Sequence, residues 1–120
     1  MKKQILLSAL VAILFTCSVQ AQNATEAKAP NALTKQAMLK LASAGIPNAI
    51  AAKTYPVFFE YYAGKQQAEA AIINGQSNLS MAEVKARYVK NRDEALEKLF
   101  TAAQMKLFKT SLEAQLANAE

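Results

Sequence analysis

At residues 79–84 the chain reads Leu79-Ser80-Met81-Ala82-Glu83-Val84, a pattern typical of the start of an α-helix. In this capping box the Ser hydroxyl accepts a hydrogen bond from the amide three residues on, and the Glu side chain accepts one from the Ser amide. Leu79 and Val84 flank the box at the spacing of a hydrophobic staple. We therefore predict that Ser80 and Glu83 cap a helix that begins at residue 81.

The same pattern returns at Phe100-Thr101-Ala102-Ala103-Gln104-Met105. Thr101 and Gln104 form the predicted box, and Phe100 and Met105 form the staple. A partial copy stands earlier, at Leu33-Thr34-Lys35-Gln36-Ala37-Met38, where Ala37 replaces the Glu or Gln. These two stretches indicate a helix start at residue 102 and another near Thr34.

Glycine and proline end the predicted helices. Gly45, followed by Pro47, ends the first one, and Gly75 ends the long middle one. Between these breaks strong helix formers dominate, and no stretch alternates apolar and polar residues as a strand would. We predict an all-α domain, a small bundle or hairpin of about four helices, at about residues 32–44, 48–74, 81–99 and 102–117.

Two further features bear on how these helices pack. Pro56 should start a new helix or kink the long one, because it has no amide hydrogen to donate. The last helix carries an apolar seam for a neighbouring helix, formed by Met105, Phe108, Leu112, Leu116 and Ala119. Each large side chain that is buried contributes about 1.5–3 kcal/mol, so such seams should determine the packing.

The first 21 residues are typical of a removable export signal. Lys2 and Lys3 form a short positive region, and Val19 and Ala21 stand at the −3 and −1 positions of a cleavage site after Ala21. The apolar run between them, Ile5–Phe15, is shorter than the about 20 apolar residues of a membrane-spanning helix. The sequence therefore predicts a periplasmic or secreted protein.

An alternative is lipidation of Cys17, because Leu14-Phe15-Thr16-Cys17 has the outline of a lipobox. With either signal the domain is exported, and its membrane contact comes only through the signal peptide or through that lipid. We predict that the chain divides into a signal peptide (1–21), a flexible polar leader (22–31) and a helical domain (32–120).

Composition excludes most familiar site chemistry. The chain has 120 residues, no His and one Cys, and that Cys17 lies in the predicted signal. Without His or Cys the helical domain cannot form a zinc finger, a His–carboxylate metal site, a Cys nucleophile or a Ser–His–Asp triad. We expect no enzymatic activity, no cofactor and no metal.

A nucleic-acid partner is also not expected. The basic residues are concentrated in the segment 85–92, but acidic residues flank them, with Glu83 before the segment and Asp93, Glu94 and Glu97 after it. Recognition of phosphates favours an unbroken basic stripe, which this pattern does not supply.

Five aromatic residues lie close together in the long helix: Tyr55, Phe58, Phe59, Tyr61 and Tyr62. Four of them fall within a sector of about 100° on a helix, with Tyr61 at its margin. One interpretation places them at the centre of the core. In the other, some face outward and form a patch that binds partners, because a tyrosine combines an apolar ring with a polar tip.

The stretch Phe100-Thr101-Ala102-Ala103-Gln104 resembles the LTxxQ signature of the Spy/CpxP-like periplasmic proteins. The motif residues correspond to Phe100, Thr101 and Gln104, and the second copy that the family usually carries is present only in its first half, at Leu33 and Thr34. The resemblance implies a small exported all-helical protein linked to envelope stress and to ATP-independent chaperoning of unfolded proteins. The metal-sensing branches of that family do not fit a chain without His.

We therefore expect an exported helical binding protein of the bacterial envelope, chaperone-like or stress-related, whose partners are proteins or unfolded polypeptides. The alternative is a structural or interaction module with one dedicated protein partner or a role in self-association, and the amphipathic helices could complete their core in a homodimer. The candidate partner-binding residues are Tyr55, Phe58, Phe59, Tyr61, Tyr62, Met105 and Phe108.

Overall fold

A computed structural model describes residues 27–120 of the chain. The predicted signal peptide, its cleavage after Ala21, the alternative lipidation at Cys17 and most of the leader lie outside the described residues.

The described part of the chain is all-α, as predicted, and residues 27–120 contain no strand. The final helical rod is interrupted by one π-helical segment, so three short elements follow one another without a break. The elements are α1 (Pro30–Ser43), α2 (Asn48–Ile73), α3 (Met81–Glu97), α4 (Ala102–Leu107), the π segment (Phe108–Leu112) and α5 (Glu113–Ala119).

The two predicted capping boxes start α3 and α4. At α4 the box is complete: the Gln104 amide donates to Thr101 Oγ1 (3.1 Å), and the Thr101 amide donates to Gln104 Oε1 (2.9 Å). At α3 the Glu83 amide donates to Ser80 Oγ (3.1 Å). The predicted return bond from the Ser80 amide is replaced, because the Ser80 hydroxyl itself donates to Glu83 Oε1 (3.3 Å).

Both glycine stops are confirmed as Schellman motifs. Gly45 takes φ +93°, its amide donates to the Ala42 carbonyl (3.1 Å), and the Ile46 amide donates to the Leu41 carbonyl (3.0 Å). Leu41 and Ile46 both join the core, which supplies the apolar contact that often accompanies this motif. Gly75, at φ +74°, ends α2 in the same way.

The boundaries of α1 and the path of α2 differ from the sequence predictions. α1 begins at Pro30, inside the predicted leader, since a proline suits the first turn where its missing amide has no partner. Thr34 therefore lies within the helix and does not cap it, and its hydroxyl donates to the Pro30 carbonyl (2.6 Å). α2 runs through Pro56 as one helix of 26 residues, so no new helix starts there.

α2 is the central element of the bundle. α1 and α3 each pack along it, and the final rod contacts α1 through α5 and reaches α2 through Phe108, whose ring lies 5.8 Å from that of Phe58. The buried apolar cluster consists of Leu33, Ala37, Leu41, Ile46, Ala51, Phe58, Tyr61, Tyr62, Leu96, Phe100, Phe108, Leu112 and Leu116.

The π segment explains how the last seam stays buried. The large buried residues of the seam, Phe108, Leu112 and Leu116, are four residues apart. In an α-helix each such step rotates the side chain about 40° past a full turn. A π-helical turn is wider, with hydrogen bonds to the fifth residue along, so it absorbs part of this drift. All three side chains consequently face the core.

α2 and α3 approach each other closely at Gly64. A Cβ atom placed on Gly64 would lie 2.5 Å from Cε1 of the Tyr88 ring, well inside van der Waals contact. Tyr88 is half-buried against the core, so its ring fills the space that the glycine leaves. Glycine is disfavoured inside helices, and this contact is the physical reason for one in the middle of α2.

We expect Gly64→Ala to destabilise the protein by about 1 kcal/mol, because an overpacking cost of about 1–3 kcal/mol exceeds a gain in helix propensity of about 1 kcal/mol. In a Tyr88→Ala background the same change should stabilise by up to about 1 kcal/mol. Urea unfolding followed by circular dichroism measures both values. Stabilisation of equal size in both backgrounds would contradict the contact.

Candidate functional site

The aromatic residues of α2 divide between core and surface. Phe58, Tyr61 and Tyr62 are buried, whereas Tyr55 and Phe59 keep 37% and 41% of their surface exposed. Their rings stack on one another, with centroids 6.2 Å apart and planes 11° from parallel. The core interpretation therefore holds for Phe58, Tyr61 and Tyr62, whereas Tyr55 and Phe59 face outward.

Four of the seven candidate partner-binding residues are core residues. Phe108 is buried like Phe58, Tyr61 and Tyr62, so none of the four offers its side chain to a partner. Met105 is half-buried beside the core, where it lines a shallow groove with Phe100. Only Tyr55 and Phe59 remain as exposed aromatic candidates.

These two residues belong to a larger surface on α2 that carries no charged side chain. In a sector of about 120° measured around the helix from Tyr55, every side chain along the whole of α2 is apolar or an uncharged amide. All of them are exposed except the half-buried Ala63 and Gln66. This charge-free face consists of Asn48, Ala49, Ala52, Tyr55, Pro56, Phe59, Ala63, Gln66, Gln67, Ala70 and Ile73.

The chain that precedes α1 meets this face near its far end. Gln66 Nε2 donates to the Lys28 carbonyl at 2.7 Å. Beyond it the most exposed large side chain of the face is Ile73, at 75%.

On the opposite side of α2 lies a buried arginine. Arg92 of α3 is only 5% exposed, and its guanidinium carbon lies 4.8 Å from the centroid of the Tyr61 ring and 4.9 Å from that of Phe108. A cation over an aromatic face is attracted by the negative charge of the π system, more strongly where water is excluded. The guanidinium therefore joins α2, α3 and the π segment.

Two carboxylates and a lysine complete this cluster. Arg92 Nε donates to Asp93 Oδ1 at 3.0 Å, and Nη2 lies 2.9 Å from the same oxygen. Nη2 also donates to Glu113 Oε2. Lys109 Nζ lies 2.7 Å from both Asp93 Oδ2 and Glu113 Oε2. The Arg92 cluster, defined as Arg92, Asp93, Lys109 and Glu113, thus balances two positive charges with two negative ones.

A cleft of about 210 Å³ opens between α2 and α3 beside Arg92. Its polar lining consists of Glu60, Asn91 and Arg92. Arg92 Nη1 has no hydrogen-bond partner among residues 27–120 and is not among the fully buried polar atoms that lack one. It therefore retains contact with solvent and offers N–H donors.

Burial perturbs the ionisation of the tyrosines in the core. It raises the pKa of Tyr62 far above the usual value of 10, and the negative charge of Glu120 raises it further. The pKa of Tyr61 is raised for the same two reasons. Burial alone would lower the pKa of Lys65, but its hydrogen bond and ion pair with Glu120 outweigh that effect and raise it.

Lys109 follows the same pattern as Lys65. Partial burial lowers its pKa, but the hydrogen bonds that it donates to Asp93 and Glu113 outweigh this and raise it.

Two remaining findings bear on the chemistry of the described region. Within residues 27–120 no group of three potential metal-ligating side chains comes together. None of the helices over that range is both long and apolar enough to span a membrane.

Comparison of the chain with models of protein families, with curated proteins and with solved structures gives no match.

We expect Arg92→Ala to lower the free energy of unfolding by about 3 kcal/mol or more, because it removes the buried cation of the cluster and leaves a cavity between the rings of Tyr61 and Phe108. Lys109→Ala should cost less than about 1 kcal/mol, since Lys109 is 39% exposed. Arg92→Met, which keeps most of the volume between the two rings, should fall between them. Urea titration of the three variants tests this order, and equal costs for Arg92→Ala and Lys109→Ala would contradict it.

Stability should decrease as the pH rises above 10. An unfolded tyrosine ionises near pH 10, but buried Tyr62 retains its proton, so the folded state binds more protons and the free energy of unfolding falls with pH. For Tyr62 the loss reaches about 1.4 kcal/mol at pH 11. Tyr62→Phe should remove that part of the decline, whereas Tyr55→Phe at the exposed position should not. If the free energy of unfolding declined equally with pH in Tyr62→Phe and in the unaltered protein, buried Tyr62 would not be the cause of the decline.

Proposed function

We propose that this chain is a small exported binding protein of the bacterial envelope that holds apolar segments of unfolded proteins transiently against the charge-free face of α2. The observation that carries the proposal is an exposed helix face with a stacked aromatic pair and no charged side chain over seven helical turns, about 39 Å.

The absence of charge suits this face to an apolar client. The whole chain carries 14 Lys and Arg and 9 Asp and Glu, yet none of these lies within the charge-free face of α2. A charged side chain in a contact must lose its hydration, which costs free energy unless a partner charge meets it. Clients of varied sequence cannot supply such partners reliably, so an uncharged surface accepts more of them.

The size of the face favours brief contacts over a permanent interface. A strip about 39 Å long and about 10 Å wide offers roughly 400 Å² on each partner. The total of about 800 Å² lies below the 1,200–2,000 Å² typical of stable complexes. This argues for a transient client and against a permanent homodimer formed through α2.

Two features of the sequence support the remaining parts of the proposal. Residues 1–21 have the pattern of an export signal, which motivates a location in the envelope. The stretch 100–104 resembles the LTxxQ signature of the Spy/CpxP-like family, in which ATP-independent chaperoning is an expected activity. A single-partner interaction module is the second candidate, and the same exposed face would serve it.

The test is suppression of aggregation, followed by light scattering, when a heat-unfolded enzyme is mixed with stoichiometric amounts of the protein. We expect suppression by the unaltered protein and a loss of most of it in the double variant Tyr55→Ser/Phe59→Ser. Met81→Ser is a matched control, because Met81 is 42% exposed but lies on α3, outside the charge-free face. It should suppress aggregation normally.

The other occupants of the face give different outcomes. Absence of suppression would remove the chaperone-like function, and recovery of one stoichiometric protein that depends on Phe59 would favour the dedicated-partner alternative. A concentration-dependent dimer abolished by the double variant would assign the face to a second copy of the chain.

A further inference from the structure

The cleft beside Arg92 adjoins the charge-free face. Pro56 belongs to both surfaces, so the cleft opens at the edge of that face. Its walls are largely apolar and include two aromatic rings; the side chains concerned are Pro56, Val57, Tyr61, Tyr88 and Ala95. Apolar walls with a few polar groups are the usual composition of a site for a small organic group.

The dimensions of the cleft correspond to one aromatic ring. An apolar protein cavity of about 150 Å³ is known to accommodate benzene. A volume of about 210 Å³ therefore leaves room for a six-membered ring with one or two substituent atoms. The half-buried ring of Tyr88 supplies a flat surface against which such a group packs favourably.

The polar groups determine which substituent fits. Arg92 Nη1 offers unpaired N–H donors, and the exposed carboxylate of Glu60 offers an acceptor. A hydroxyl group can satisfy both, since it accepts from one and donates to the other. A carboxylate fits less well, because the Arg92 cluster is already neutral and Glu60 would repel it.

We propose that this cleft binds a phenol ring, with its hydroxyl between Arg92 Nη1 and the Glu60 carboxylate. Its natural source is a tyrosine side chain of the segment held on the charge-free face, and this assignment of the source rests on the proposed function. The cleft then anchors one residue of a client, while the face alongside covers the rest.

The experiment titrates the protein with p-cresol, which has the side-chain structure of tyrosine, and follows the amide NMR signals of Tyr88 and Asn91. Toluene lacks the hydroxyl, and benzoate carries a charge in its place. We expect p-cresol to bind about three- to tenfold more tightly than toluene, the value of one net hydrogen bond, and benzoate to bind most weakly.

Glu60→Ala should reduce the preference for p-cresol over toluene without abolishing it, because Arg92 Nη1 still donates to the hydroxyl. The substitution should not disturb the core, since Glu60 lies on the surface. Glu97→Ala is the matched control, an exposed carboxylate on α3 that does not line the cleft. It should leave the preference unchanged.

Three results would overturn the inference: no shift with p-cresol, equal affinity for p-cresol and toluene, or tighter binding of benzoate. The double variant Tyr55→Ser/Phe59→Ser separates this inference from the proposed function, because it should abolish client holding and still bind p-cresol. A short peptide with one tyrosine should compete with p-cresol, and its phenylalanine analogue should compete several-fold less well. Equal competition by the two peptides would overturn the assignment to tyrosine.

Discussion

The placement of the Arg92 guanidinium between the rings of Tyr61 and Phe108 is the constraint on which the arrangement of the helices depends. Through this one side chain α3 contacts both α2 and the final rod. Apolar contacts tolerate sliding, whereas a buried cation requires its carboxylates and rings in defined positions. The cluster therefore sets the register in which the apolar surfaces pack.

The cluster also accounts for the irregular last helix. Phe108 must cover the guanidinium, Lys109 must reach Asp93, Glu113 must reach Arg92, and Leu112 must enter the core. In an ordinary α-helix, side chains four residues apart differ in direction by about 40°, so Phe108 and Leu112 would not face the core equally well. The π segment from Phe108 to Leu112 reduces that rotation, so its wider turn serves both the ion pairs and the apolar core.

Sequence reasoning predicted the features that depend on neighbouring residues alone. The boxes at Ser80 and Thr101 and the glycine stop at Gly45 are local hydrogen-bonding patterns, so they are visible without the rest of the fold. The division of the aromatic segment into core and surface depends on which helices cover α2, and periodicity cannot provide that. The buried arginine, in contrast, left a signal in the sequence. Arg92 lies four residues from Tyr88 and from Leu96, inside an otherwise apolar face of α3.

The same packing that buries one side of α2 prepares the other side for binding. α1 and α3 pack along α2 and the final rod touches it through Phe108, so the charge-free face belongs to a helix that its neighbours hold in place. A ligand that meets a rigid surface does not have to order it, and less of the interaction free energy is lost. Stacking of Tyr55 on Phe59 adds to this, because both rings are already oriented before contact. Such prior orientation is what the proposed function requires of a weak, small interface.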